Sequence, residues 1–221
     1  MKKIKFEWIR TLFAAVLSVS LTVSVLSAFP AARAEETGGT SESETEYRYS
    51  VEIEFGSMTF CYDYGTWNPS NLRYEAEETE SPAAGTVAGF PGWYGFDGIA
   101  NRISVRYNDK DDNGSDPSHN YLQVTLSYRA LQEKDGVTTD LIGVTGITPE
   151  LYGNESLKNL IETIGENGSV LSVAKGEQIS VWLSLKGEPT AKNGGAFTSV
   201  NLVPVGMLTI ALGGFSQTGG N

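Results

Sequence analysis

One loop of the sequence holds closely spaced oxygen-bearing side chains. Three carboxylates and one amide among them are candidate ligands, at Asp109, Asp111, Asn113 and Asp116. Alternating oxygen ligands ahead of a glycine turn, here Gly114, can converge on Ca²⁺ as in known calcium loops. Because Asn120 stands where an EF-hand has its bidentate glutamate, we expect no EF-hand. The alternatives are a simpler calcium loop between two strands and an ordinary polar hairpin loop, since Asp, Asn and Gly are also common turn residues.

Aromatic side chains beside turns form a second candidate site. Trp67 lies in a Gly-Thr-Trp-Asn-Pro stretch, and Trp93 and Tyr94 follow a Pro-Gly turn. Exposed Trp and Tyr rings stack on the C–H faces of sugars while polar neighbours bind the hydroxyl groups. The pattern predicts carbohydrate binding at Trp67, Trp93 and Tyr94. The alternative is that these rings fill the ends of a β core, which is the commoner position for large aromatic side chains.

Few side chains in the sequence suit catalysis. His119 is the only histidine and Cys61 the only cysteine, so a multi-histidine metal site and an intramolecular disulfide are excluded. Four acids, at Glu75, Glu77, Glu78 and Glu80, could supply the carboxylate pair of a glycosidase. Consecutive acids before a Ser-Pro pair are more typical of a solvated loop. We therefore expect a protein that is not an enzyme, with a carboxylate-based glycosidase as the alternative.

Alternation with a period of two dominates the elements that must position these residues. Apolar and polar side chains alternate over 47–55, 58–64, 102–107, 121–129 and 179–185, and an apolar run follows at 203–212. Clusters of Gly, Asn, Asp and Pro separate the runs, which is typical of strands joined by turns. The pattern predicts an all-β fold, an antiparallel β-sandwich of Ig-like or jelly-roll-like type. A closed β-barrel is the alternative.

One segment departs from this alternation. Apolar residues at helical spacing occur at Leu157, Leu160, Ile161 and Ile164. The spacing predicts one short helix near 155–164, capped at its start by Asn154 or Ser156 and at its end by Gly165.

The first 34 residues have the pattern of a secretory signal peptide. A basic start is followed by an uncharged run from Leu12 to Leu26, and Ala32-Arg33-Ala34 supplies the small residues of a cleavage site. A retained membrane anchor is the alternative for Leu12–Phe29, although Pro30 breaks a helix just beyond it. Residues 35–46 are then an acidic disordered spacer, 47–213 the β domain, and 214–221 a flexible glycine-rich tail.

The net charge of the chain is more negative without the predicted leader. It carries five of the 16 basic residues and one of the 27 acidic residues. The remaining chain has 11 basic and 26 acidic residues, a net charge of about −15. This charge repels phosphate backbones and anionic lipids, so we expect no nucleic-acid partner and no membrane association after cleavage.

Two short motifs resemble a known kind of protein. The stretch 55–60, followed by the Gly-Thr-Trp-Asn-Pro turn at 65–69, and the strand-like stretch 176–187 resemble small exported β-sandwich proteins of Gram-positive bacteria. The similarity covers about 47–213. It implies residence at the cell surface or in an extracellular matrix, and it implies no catalytic residues.

These observations predict a secreted or surface-associated protein that works by contact. The expected partner is a cell-surface or matrix protein, or a second copy of the chain bound by strand addition at a sheet edge. The expected edges are polar segments rich in Thr and Ser and the final apolar run, 203–212. A carbohydrate-binding module is the alternative, and calcium is the one cofactor that the sequence suggests.

Overall fold

A computed structural model describes residues 13–22, 49–109, 117–130, 146–190 and 202–219. These residues form thirteen β-strands: β1 Phe13–Thr22, β2 Tyr49–Phe55, β3 Thr59–Asp63, β4 Thr66–Asn68, β5 Arg73–Glu75, β6 Gly92–Tyr94, β7 Arg102–Asp109, β8 Tyr121–Ala130, β9 Thr148–Tyr152, β10 Leu160–Thr163, β11 Ser169–Ala174, β12 Gln178–Lys186 and β13 Leu202–Ser216. A single 3-10 turn covers Pro117–His119. No helix in this part of the chain is long and apolar enough to cross a membrane.

The prediction of an all-β fold is confirmed. Sheet A has the strand order β11-β8-β13-β1-β3-β6, sheet B has the order β10-β9-β12-β7-β2, and sheet C is the hairpin β4-β5. Neighbouring strands pair antiparallel except β1 and β13, which run parallel. Each described sheet is open, with two outermost strands, so the alternative of a closed barrel is wrong for the described strands.

The alternation in the sequence becomes a burial pattern in the strands. In β8, residues Leu122, Val124, Leu126 and Tyr128 are buried while the residues between them are half-buried. Strands β7 and β12 also bury Ile103, Val105, Val181, Leu183 and Leu185, and the small polar residues Ser104 and Ser184 between them are buried as well. One apolar core contains these side chains together with Leu208 and Ile210 of β13. Sheets A and B therefore contribute to a common core, because each needs an apolar partner for its buried face.

Asn101 joins the loop before β7 to the centre of sheet B. Its side chain is fully buried, and its Nδ2 donates to the Leu183 carbonyl at 2.8 Å. Its Oδ1 accepts from the Gly98 amide at 3.0 Å, and its own carbonyl accepts from the Leu183 amide. A buried amide with its partners supplied is stabilising, whereas one left without them is costly. Asn101 thus fixes the loop against β12.

The predicted helix near 155–164 is wrong. Asn154 caps a single turn, in which its Oδ1 accepts from the Lys158 amide at 3.0 Å, and the chain then enters β10. Leu157 and Ile164 reach the core from the turn and from the end of the strand, while Leu160 and Ile161 are exposed. Pairing of β10 with β9 satisfies the backbone here. The four apolar residues have helical spacing, but the chain forms a turn and a strand, and only two of the four side chains are buried.

The final apolar run is not a sheet edge in this structure, contrary to the sequence-based expectation. Strand β13 lies inside sheet A, with β8 on one side and β1 on the other. It continues to Ser216, past the predicted start of the tail at 214. Its side chains Val205, Leu208 and Ile210 are buried in the core.

Candidate functional site

The hairpin β4-β5 carries the most exposed aromatic pair among the described residues. Trp67 and Tyr74 lie opposite each other in the two strands, and their ring centroids are 5.3 Å apart at an angle of 63°. The side chains are 48% and 55% exposed. Because cross-strand neighbours on a hairpin share one face, the two rings form a single apolar surface. Trp67 is thus accessible, as the sequence predicted, and Tyr74 is the partner that the sequence argument missed.

A polar cluster fixes the same hairpin. The Glu75 carboxylate accepts from Asn68 Nδ2 at 2.7 Å, from Asn71 Nδ2 at 2.7 Å and from Arg73 Nε at 2.8 Å. These donors, first of all Asn68, lower the pKa of Glu75 to about 2. Glu75 therefore stays ionised in any ordinary buffer. Its bonds fix the turn of the hairpin, and the pairs Asn68–Arg73 and Thr66–Glu75 lie one position away from the Trp67–Tyr74 pair, on the opposite face of the strands.

Trp93 and Tyr94 belong to the core. Each side chain is 1% exposed, so the prediction that they are accessible to a sugar is wrong. Trp93 Nε1 donates to the Gly187 carbonyl at 2.7 Å, and the Tyr94 hydroxyl donates to the Phe90 carbonyl. Large rings with a buried polar atom need such a partner. The alternative given by the sequence, in which tryptophans fill the β core, describes Trp93.

A pocket of about 390 Å³ lies beside Trp93. Its walls come from two regions, sheet A and the end of β12, and include Tyr62, Pro91, Leu185, Lys186 and Glu188. Burial, followed by the nearby Glu188 carboxylate, raises the pKa of Tyr62 to about 12. Tyr62 is therefore a neutral hydrogen-bonding group and not a base at ordinary pH.

The best-buried carboxylates of the described chain have structural partners. Asp63 accepts from the amides of Gly65, at 2.7 Å, and Glu77, at 2.9 Å, and so anchors the start of the acidic segment. Glu150 accepts from Lys186 Nζ at 2.7 Å and from the Tyr152 hydroxyl at 2.6 Å. Burial and this hydrogen bond raise the pKa of Tyr152. A buried carboxylate held on both oxygens acts as a brace for β9 and β12, and losing one partner is expensive.

The predicted calcium loop lies mostly outside the described residues. Asp109 ends β7, whereas Asp111, Asn113 and Asp116 fall outside the residues that the structure describes. Within the described ranges, no group of three or more His, Cys, Asp or Glu side chains could hold a metal ion. Calcium binding by this loop stays a prediction.

The side chains of the only cysteine and the only histidine both contact neighbouring strands. The Cys61 thiol lies in β3, half-buried, with its Sγ 3.9 Å from the Tyr94 carbonyl. His119 ends the 3-10 turn, and its ring packs edge-on against Phe215 at 4.7 Å. Cys61 lies in β3 and His119 in the turn before β8, so the two side chains belong to different elements.

Comparison with models of protein families, with curated proteins and with solved structures finds no match for this chain. The site is therefore described by its own geometry alone.

The contrast between the two tryptophans gives a mutational test. Trp93→Ala should lower the free energy of unfolding by about 3–5 kcal/mol, because it empties a buried site. Trp67→Ala should cost at most about 1.5 kcal/mol, since it removes an exposed ring and one aromatic contact. Urea denaturation measures both. Trp93→Phe keeps most of the ring without its Nε1 donor and should fall between them, while equal losses for the two alanine variants contradict the assignment.

The Cys61 thiol gives a test with pH. Burial, then the charges of Glu78 and Asp63, raises its pKa from 9.0 to about 11. At pH 8 only about one thiol in a thousand is the reactive thiolate, so iodoacetamide should label the native protein slowly. Labelling should accelerate as the pH rises toward 11 and should be fast in urea at pH 8. Mass spectrometry follows the modification, and equal rates for native and unfolded protein at pH 8 would argue against a buried thiol.

Proposed function

We propose that this chain is an exported, non-enzymatic β-sandwich protein that works through contacts with proteins of the cell surface or matrix, including copies of itself. The sandwich arrangement is supported by the common core of sheets A and B. Export is supported by the leader pattern of residues 1–34. The charge of about −15 after the leader favours a soluble partner that is neither nucleic acid nor anionic membrane.

The contact function is supported mainly by two outermost strands that expose apolar side chains. Strand β10 ends sheet B and β11 ends sheet A, and the two follow each other along the chain. We name the segment 160–174 the edge segment. Its exposed apolar side chains are Leu160, Ile161 and Val170, which are 49%, 44% and 56% exposed.

Strand β11 lacks the charge and the proline that protect many sheet edges, since its sequence is Ser-Val-Leu-Ser-Val-Ala. Strand β10 is better protected, because it has one charge, at Glu162, and a register shift between Leu160 and Glu162. Soluble proteins usually place lysine, proline or a bulge on such strands to prevent pairing with other chains. An outer strand with exposed apolar side chains therefore favours association with a further strand.

A charge-insertion experiment tests this function. The double variant Ile161→Lys/Val170→Lys should lose association that the natural chain shows in sedimentation velocity as concentration rises, because two charges oppose burial of the edge segment. The matched control is Val87→Lys/Ile99→Lys, which adds the same charges at positions 62% and 71% exposed outside the edge segment. A natural chain that stays monomeric at every concentration and binds no cell-surface fraction overturns the proposal.

Carbohydrate binding is the second candidate, favoured by the exposed Trp67–Tyr74 pair. Soluble wall or plant polysaccharides should shift the tryptophan fluorescence of the natural chain. Trp67→Ala and Tyr74→Ala should abolish the shift, while Leu72→Ala, at a 74% exposed position on the same hairpin, should keep it. A spectrum that responds to no member of a glycan panel removes this candidate. A glycosidase would need two facing carboxylates in a groove, and the described lining of the pocket beside Trp93 has one carboxylate, that of Glu188.

A further inference from the structure

Strand β1 holds a position in sheet A that its sequence makes unusual. Residues Ala14 to Thr22 pair parallel with Leu202 to Ala211 of β13, with one register shift after Val16. The first part of the strand, 13–16, also pairs antiparallel with 59–62 of β3. Among the described strands, β3 and β6 join the rest of sheet A only through β1.

The same ten residues lie in the middle of the predicted leader. Cleavage after Ala34 would remove β1 from the exported chain together with its pairing to β13 and β3. Sheet A would then consist of β11-β8-β13 on one side and β3-β6 on the other. The gap between β3 and β13 is one strand wide, or roughly 9–10 Å from backbone to backbone at the usual strand spacing. We name this gap the slot.

The two strands that border the slot, β3 and β13, each pair with another strand on the side away from the slot. Strand β8 pairs with β13 over Gly206–Ser216, and β6 pairs with β3 over 61–63. Both walls also bury apolar side chains in the core, among them Phe60, Leu208 and Ile210. Loss of β1 would leave a row of unpaired N–H and C=O groups on β13 beside this core, which is a template for another strand.

We propose that the slot between β3 and β13 accepts a β-strand supplied by a different exported protein, lying parallel to β13. This inference rests on the proposed function, because it requires an exported chain that has lost its leader. The length of the occupant follows from nine paired positions of β1, which correspond to an extended segment of about ten residues. The final apolar run, 203–212, which the sequence placed at a sheet edge, becomes an edge only in that exported form.

The chemistry of the occupant follows from the strand now seen in the slot. It carries no charge, and in its second half Leu17, Val19 and Leu21 alternate with Ser18, Ser20 and Thr22. The spacer 35–46 is unsuitable, because it has five glutamates and no apolar side chain larger than threonine. The new N-terminus of this chain, or of a second copy, therefore cannot fill the slot. A neutral, alternating apolar strand from another protein fits it.

A cross-link in the full chain tests the register of the slot first. Cys61 is the only cysteine and lies opposite Ala14, while Ala15 lies opposite Phe60. Opposite residues of an antiparallel pair lie on the same face at a distance that suits a disulfide. Mild oxidation with diamide should join the two cysteines in Ala14→Cys and should fail in the matched control Ala15→Cys. Equal cross-linking, or none in either variant, overturns the assignment of the slot.

Strand exchange then tests acceptance in trans. A protease site placed within 35–46 allows the folded full chain to be cut while β1 is still in place. A labelled peptide with the sequence of residues 13–22 should displace the leader fragment in size-exclusion chromatography. The melting temperature of the cut protein should rise with peptide concentration, because the peptide binds only the native state. The same peptide with Leu17→Pro and Val19→Pro should not bind, since proline removes backbone donors, and the uncut chain should bind neither.

The outcomes separate this inference from the proposed function. A cut protein that loses the leader fragment, keeps its melting temperature and binds no peptide has closed the slot, which overturns the inference. If the cut protein precipitates, the variant Leu17→Pro is measured in the uncut chain instead. An unchanged melting temperature would show that β1 is dispensable for the fold, which also overturns the inference. Mass spectrometry of the secreted protein tests whether the leader is removed. A secreted chain that still contains Phe13 keeps β1 in the slot, so no partner strand can enter it. Failure of exchange alone leaves the edge segment and its test unaffected.

Discussion

Burial of one apolar row from each of β7, β8, β12 and β13 in a common core is the interaction on which the rest of the structure depends. Each row arises from alternation with a period of two, so a shift of one residue in any of these strands would move its whole row to the wrong face. The core also fixes what surrounds it. Asn101 and Glu150 are polar groups that depend on distant partners, because strand pairing brings Leu183 to Asn101 and Lys186 to Glu150.

The surfaces proposed for function are the places where this burial ends. The hairpin β4-β5 stands apart from sheets A and B, so Trp67 and Tyr74 keep their exposure. The edge segment supplies one outermost strand to sheet A and one to sheet B. The slot is the position of β1, and its two neighbours, β3 and β13, also pair with β6 and β8. At the hairpin and the edge segment, apolar side chains are exposed, whereas the slot would expose backbone groups only after β1 is removed. Contact, more than chemistry, is what such surfaces offer.

Much of the fold could be predicted from local pattern, but the candidate site could be predicted only in part. The alternation in residues 121–129 specified β8 and its buried face. Trp67 and Trp93 both follow glycine-containing turns, yet one is half exposed and the other fully buried. Nothing local distinguishes them, because burial depends on whether a second sheet covers the residue. The partner of Trp67 was missed for the same reason, since the pairing of β4 with β5 sets Tyr74 opposite it.

By itself, the sequence determined the class of fold, the acidity of the chain, the scarcity of catalytic side chains and the absence of any internal disulfide, because these depend on composition and on short-range periodicity. Only the tertiary structure decided which strands are interior, which rings are exposed and that the apolar spacing at 157–164 belongs to a turn and a strand. It also decided that the uncharged residues 13–22 pair with β13. Neighbours in a sheet come from distant parts of the chain, and no local pattern records which strand will lie beside which.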